Sequence, residues 1–213
     1  MSKNLKISLA LVVGAIVVAF IAASAGGDDK PEVTSDADRS DRLVRPDSQL
    51  LSEGTSDVEF VEFLDFECEA CRAAFPAVEQ LREEYGDEVT FVVRNFPLHN
   101  NSVAAAKAAE AAAAQGKFEE MYIRLFETQT EWGEKDSSQE DVFFGFAEDL
   151  GLDMDEFRSV YDDPATTEKV ERDQADGRAL GVSGTPTFFL DGEKLEPESF
   201  DDLVMAIEQA VNR

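Results

Sequence analysis

The sequence predicts an α/β domain: a strand–helix–strand unit, then a block of helices, then a strand–strand–helix unit. Three observations predict it. A Val- and Phe-rich run, "DVEFVEFLDF", leads into a helical pattern and then into "VTFVVRNF", which is the order of a βαβ unit. Alanine-rich and aromatic stripes at helical spacing fill the middle of the chain. Near the end, "TPTFFLDGEKL" sets Asp191-Gly192 between two short β-rich runs, the signal of a two-residue hairpin.

Ahead of the domain, Lys3 and Lys6 precede nineteen uncharged residues, Ile7 to Ala25. A bilayer span needs about 17–25 apolar residues, and a core helix would carry charge on at least one face. Flanking lysines favour the cytoplasmic side, so the rest of the chain is expected outside it. Ala23-Ser24-Ala25 is also a small-x-small pattern open to signal peptidase, although the run exceeds the usual signal core of about 7–15 residues. Residues 1–25 therefore read as a signal-anchor of a single-pass cell-membrane protein, with secretion after cleavage near Ala25 as the alternative. Residues 26–48, polar and charged, read as a flexible linker, and residues 49–213 as the domain.

Within the domain, Asp57–Phe66 reads as a strand. Period two puts Val58, Phe60, Glu62, Leu64 and Phe66 on one face, so Glu62 is a carboxylate among apolar neighbours. A helix is predicted from about Cys68 to Tyr85 and a strand over Val89–Phe96. Helices then follow after an Asn101 or Ser102 cap, along the stripe of Phe118, Met121, Tyr122, Leu125 and Phe126, along Val142, Phe143, Phe146 and Leu150, and from Asp163-Pro164. After the hairpin, Ser199 and Asp202 form a capping-box pattern before a stripe of Phe200, Leu203, Val204, Ile207 and Val211.

The chain has 46 acidic and 19 basic side chains, a formal net charge of −27. That field repels nucleic acid and anionic lipid, which sets both aside as partners. The two cysteines are too few for a disulfide framework, and with the single histidine they fall short of the four ligands of a structural zinc site.

Both cysteines lie in "FECEACRAAF", at the end of a strand and the start of a helix. There the free N–H groups and the positive end of the helix dipole stabilise a thiolate on Cys68, and Cys71 is close enough to form and break a bond with it. In thiol–disulfide exchange Cys68 is the attacking or attacked sulfur and Cys71 the resolving one. A structural bridge over so short a loop would contribute only about 2 kcal/mol, so redox chemistry is the favoured reading.

Three separated motifs, "FLDFECEACRAAFP", "VTFVVRNFPLHNNSVAAAKAAEAA" and "LGVSGTPTFFLDGEKL", together resemble the DsbA-type thiol–disulfide oxidoreductases of the thioredoxin superfamily, in particular their membrane-anchored or secreted bacterial forms. The resemblance covers about residues 50–211. It implies a thioredoxin fold with a helical insertion, about residues 101–180, between its βαβ and ββα halves, and a dithiol active site at Cys68 and Cys71. It also implies a cis Pro186 preceded by a peptide-binding Thr185, which sequence alone does not give, since about 5–6% of X-Pro bonds are cis.

A buried acid six residues upstream of the first cysteine is a further feature of the resemblance, and Glu62 matches it as a proton relay. His99 in "FPLH" fits a recurrent pattern, with capping or loop packing as its plainer role. The implied partners are exported unfolded or cysteine-containing proteins and a membrane quinone-linked redox protein; no metal or organic cofactor is implied beyond the Cys68–Cys71 disulfide.

Many strong oxidants of this type carry Pro-His between the cysteines, whereas this chain has Glu69-Ala70, which points to a tuned redox poise. Glu67 and Glu69, taken as exposed, would cost the thiolate about 1 kcal/mol each in a watery setting, less than the helix end supplies. The expectation is a Cys68 pKa of about 5–7 and a potential between about −270 and −120 mV, most consistent with a dithiol oxidase. A reductase or isomerase on the same fold, or a non-catalytic peptide-binding module, is the alternative.

Overall fold

The computed structural model describes residues 35–213. A helix α1 (Asp36–Leu43) and a strand β1 (Gln49–Ser52) precede the βαβ unit of β2 (Glu59–Leu64), α2 (Glu69–Tyr85) and β3 (Thr90–Asn95). The helical block holds α3 (Ser102–Ala113), α4 (Phe118–Glu127), α5 (Gln129–Trp132), α6 (Glu140–Asp149), α7 (Met154–Tyr161) and α8 (Pro164–Ala179). The hairpin β4 (Thr187–Leu190) and β5 (Glu193–Lys194) and helix α9 (Phe200–Val211) complete the chain.

The five strands form one sheet in the order β1-β3-β2-β4-β5. β2 and β3 are parallel and the other pairs antiparallel. Central strands joined by a crossover helix are covered on both faces, and here the alternation of β2 divides two cores. Phe60, Leu64 and Phe66 join Val78 and Leu81 of α2 and the alanines of α3, while Val61 and Phe63 join Leu43, Phe96, Leu180 and Phe189 on the other face. On that second face Gly177 lets α8 close on the sheet, because a Cβ there would lie 2.8 Å from the Phe96 ring. This is the thioredoxin fold with a helical insertion that the motifs imply.

The insertion is organised around α3. Its buried alanines Ala105, Ala108, Ala109 and Ala112 let α4, α6, α7 and α8 pack directly against it. The α4 stripe is buried as predicted, with Phe118, Met121, Tyr122, Leu125 and Phe126 all inside. Asp191 and Gly192 both have positive φ, 49° and 87°, the backbone of a type I′ hairpin. Ser199 and Asp202 cap α9 reciprocally.

The linker expected over residues 26–48 needs correction where the structure describes it. From Ser35, whose hydroxyl accepts from Asp38 N, the chain forms α1, and Leu43 is 3% exposed in the core. The cause is Arg94, fully buried on β3. Its guanidinium donates to the Leu43 carbonyl at 2.7 Å and pairs with Asp173 at 2.9 Å and Asp176 at 2.8 Å, while Arg45 reaches the same Asp176 at 2.7 Å. The apolar run Ile7–Ala25 lies outside the described residues. Among those described, no helix is long and apolar enough to cross a membrane.

Candidate active site

The site is assembled where β2 ends and α2 begins. Cys68 is the N-cap of α2, with extended backbone, so its sulfur stands at the helix mouth. The turn is held by Asp65: its carbonyl accepts from Cys68 N at 3.1 Å, and its own N–H points at Cys71 Sγ at 3.5 Å. Cys68 is half-buried, whereas Cys71, one turn inward, is completely buried.

The partner loop arrives through the sheet. β4 pairs with β2, Thr187 opposite Phe63, so the residues just before β4 lie beside the Cys68 turn. The Thr185–Pro186 peptide bond is cis, and the Cys68 thiol donates to the Thr185 carbonyl at 3.4 Å. The Thr185 hydroxyl is buried with no partner in the described structure. The carbonyl contact belongs to the thiol form, and the hydroxyl is the donor available to a thiolate.

The electrostatics split the two sulfurs. The Cys71 thiol donating to Cys68 is the largest influence on Cys68; burial opposes it, and the Thr185 side chain and the N–H groups of Cys71 and Ala70 add to it. The net effect lowers the Cys68 pKa to about 5. Burial, first, and then the donation to Cys68 and the nearby Glu62 push Cys71 far above an ordinary thiol. Glu62, 3% exposed, is raised to about 8 by burial, then by the charges of Glu79 and Cys68. At neutral pH the arrangement therefore offers one thiolate nucleophile, one protonated thiol and one protonated carboxyl. Cys68 alone of the pair reaches the surface; a cleft of about 710 Å³ lined by Arg39, Asp57, Asp191 and Arg213 is a separate feature.

A family model described as Thioredoxin matches residues 50–209. The chain belongs to the thioredoxin family. A thioredoxin-like oxidoreductase from Silicibacter pomeroyi DSS-3 shares 28% identity and a TM-score of 0.69, over 81% of this chain and 98% of that one. The thiol-disulfide exchange protein alpha-DsbA2 from Wolbachia pipientis shares the fold at 22% identity and a TM-score of 0.69, over 82% of this chain and 92% of that one. The fold is the one that this solved DsbA-type exchange protein has.

The Na(+)/H(+) antiporter NhaA of Herminiimonas arsenicoxydans is 38% identical over 153 residues, which are 72% of this chain and 24% of that protein. The chain spans about a quarter of the length of the curated relatives it matches.

In this thioredoxin-family chain the structure brings Cys68, Cys71, Thr185 and Pro186 together, and sets Glu62 in the core beneath them. Glu69 and Ala70 are exposed on the first turn of α2, and Ala70 acts through its backbone N–H. Glu67 differs from expectation. It is 2% exposed, and its carboxylate accepts from the backbone N–H of Asn101 at 2.6 Å and of Glu134 at 3.0 Å, so it ties the dithiol turn to the insertion.

Gln129 was not legible at all. Its side-chain amide donates to the carbonyls of Phe66 at 2.7 Å and Cys68 at 3.0 Å, and its oxygen accepts from Arg72 Nε at 3.0 Å. It lies on the four-residue helix α5, too short to carry a periodic signal.

Proposed function

We propose that the protein is an extracytoplasmic dithiol oxidase that exchanges disulfides with exported proteins through Cys68 and Cys71. The observation that carries this reading is the asymmetry of the pair: an acidic Cys68 at the helix mouth beside Thr185, and a buried Cys71 held as a thiol. Stabilising the Cys68 thiolate stabilises the reduced protein, and that makes the disulfide form an oxidant.

In the reaction a substrate thiolate attacks Cys68 of the Cys68–Cys71 disulfide. The S–S bond breaks, the electron pair goes to Cys71, and Cys71 takes a proton relayed by Glu62. A second substrate thiolate then attacks the substrate sulfur of the mixed disulfide and expels Cys68, a good leaving group because its pKa is low. The substrate loses two electrons and gains a disulfide; the protein gains two electrons as a Cys68 thiolate and a Cys71 thiol. A membrane quinone-linked redox protein would take those electrons back, and the exchange itself uses no metal or organic cofactor.

An N-terminal anchor would keep the domain beside that partner. The occurrence of similar stretches within proteins named Na(+)/H(+) antiporters supports a place at a membrane.

Equilibration of the dithiol with glutathione, beside paired assays of reduced-ribonuclease oxidation and insulin reduction, tests the direction. An oxidase gives a potential above about −200 mV and outpaces its own insulin reduction; a potential near −270 mV assigns a reductase instead. Loss of exchange in Cys68→Ala with the cellular phenotype intact would make the protein a peptide-binding module.

A further inference from the structure

His99 is the only histidine of the chain and lies in the loop between β3 and α3. Its ring is held in a built setting. The side chain of Asp65 is wholly buried, and one oxygen of its carboxylate accepts both from His99 Nδ1 at 2.7 Å and from Leu98 N at 2.7 Å; the other accepts from Glu67 N at 2.8 Å. The backbone of His99 is fixed as well, because its N–H donates to the Ser102 hydroxyl at 3.1 Å. Asp65 is also the residue whose main chain touches both Cys68 and Cys71. One buried carboxylate thus joins the imidazole to the dithiol turn, while the ring itself stays 45% exposed.

We propose that His99, clamped by Asp65, is a positioning residue of the exchange reaction whose protonated ring favours the Cys68 thiolate from outside the Cys-x-x-Cys segment. The inference rests on the dithiol reading above and adds a residue to it. Burial works against charge on the ring, but the Asp65 hydrogen bond and the charges of Asp65, Cys68 and Glu67 outweigh it and hold the imidazole above its ordinary pKa. Those three groups all come from the β2–α2 turn, and from α3 the uncharged Ser102 accepts from the His99 backbone N–H. The coupling is reciprocal, since whatever a Cys68 thiolate does for the His99 charge, that charge does for the thiolate.

The single imidazole resonance gives a direct readout. In the reduced protein Cys68 is charged and in the disulfide it is not, so oxidation should lower the His99 pKa by about half a unit, a three-fold change in proton affinity. His99→Gln, at a half-exposed ring, should raise the Cys68 pKa by a similar amount and make the potential more negative by about 15 mV. High salt should shrink both shifts, which a merely structural role would not show.

An imidazole pKa equal in the two redox states, together with an unchanged Cys68 pKa in His99→Gln, overturns the proposal. If instead wild-type Cys68 titrates as an ordinary thiol and exchanges nothing, the dithiol reading itself is at fault. Should His99→Gln lose stability, the wild-type comparison of redox states still decides.

Discussion

Cys68 Sγ lies 3.4 Å from the carbonyl oxygen of Thr185, the residue joined to Pro186 by a cis peptide bond. Two segments 117 residues apart meet there, because β4 pairs with β2 and delivers its preceding loop to the N-terminus of α2. The Cys68 sulfur and the Thr185 backbone therefore share one surface, and the proposed reading gives the two cysteines separate roles.

Replacement of Cys71 by Ala should leave Cys68 able to attack but unable to be displaced from within. The variant should accumulate a mixed disulfide with a disulfide-bearing client, whose second sulfur leaves as a thiolate, seen as a reducible adduct by intact mass. Cys68→Ala should form no adduct and show no exchange.

The pH dependence of the reduced form follows from the Cys68 shift. Its folded pKa, about 5, is depressed below the ordinary thiol value of 9.0. The thiolate contribution is therefore fully present above about pH 9 and is lost as the pH falls through about 5. The gap in urea midpoint between reduced and oxidised protein should move in favour of the reduced form from pH 4.5 to pH 8. A gap that is flat with pH would contradict the assignment.

Glu62 has the opposite sign. Its folded pKa of about 8 lies above the ordinary carboxylate value of 4.5, so its contribution to stability is present below 4.5 and is lost as the pH rises through 8. Glu62→Gln should accordingly stabilise the protein at pH 7, by on the order of 1–3 kcal/mol, and more at pH 8 than at pH 5. The same variant should slow release of Cys71 in single-turnover exchange, since the relayed proton is gone. Denaturant titrations at the two pH values and stopped-flow mixing with a reduced peptide check both arms.

Much of this was readable in the residues, for a local reason. The alternation of β2, the cap at Cys68, the Asp191-Gly192 hairpin and the Ser199 box each depend on neighbours within a few positions, so the sequence carries them openly. Helix α1 was hidden because its reason lies elsewhere: a polar, charged segment folds only where the buried Arg94, Asp173 and Asp176 give it partners. Glu67 looked like a second exposed carboxylate beside the thiolate, but its acceptors are satisfied by backbone from the insertion, which no spacing rule reveals.

Gln129 shows the same limit and yields its own prediction. It reaches 61 residues back to the Cys68 carbonyl, so Gln129→Ala would leave the buried Phe66 carbonyl without its donor and loosen the cap of α2. An unsatisfied buried acceptor costs about 1–3 kcal/mol. The expected result is a stability loss of that size in urea, with faster amide hydrogen exchange across the first turn of α2. Unchanged exchange in that turn would remove Gln129 from the site.

The account stands most directly on the acidity of Cys68. Ultraviolet thiolate absorbance of the reduced protein against pH, with Cys68→Ser as the blank, measures it in one titration. An inflection near pH 5 is the predicted result. A first inflection above pH 8 would mean that the helix mouth, the Cys71 thiol and Thr185 do not favour charge on that sulfur, and the oxidase reading would fall with it.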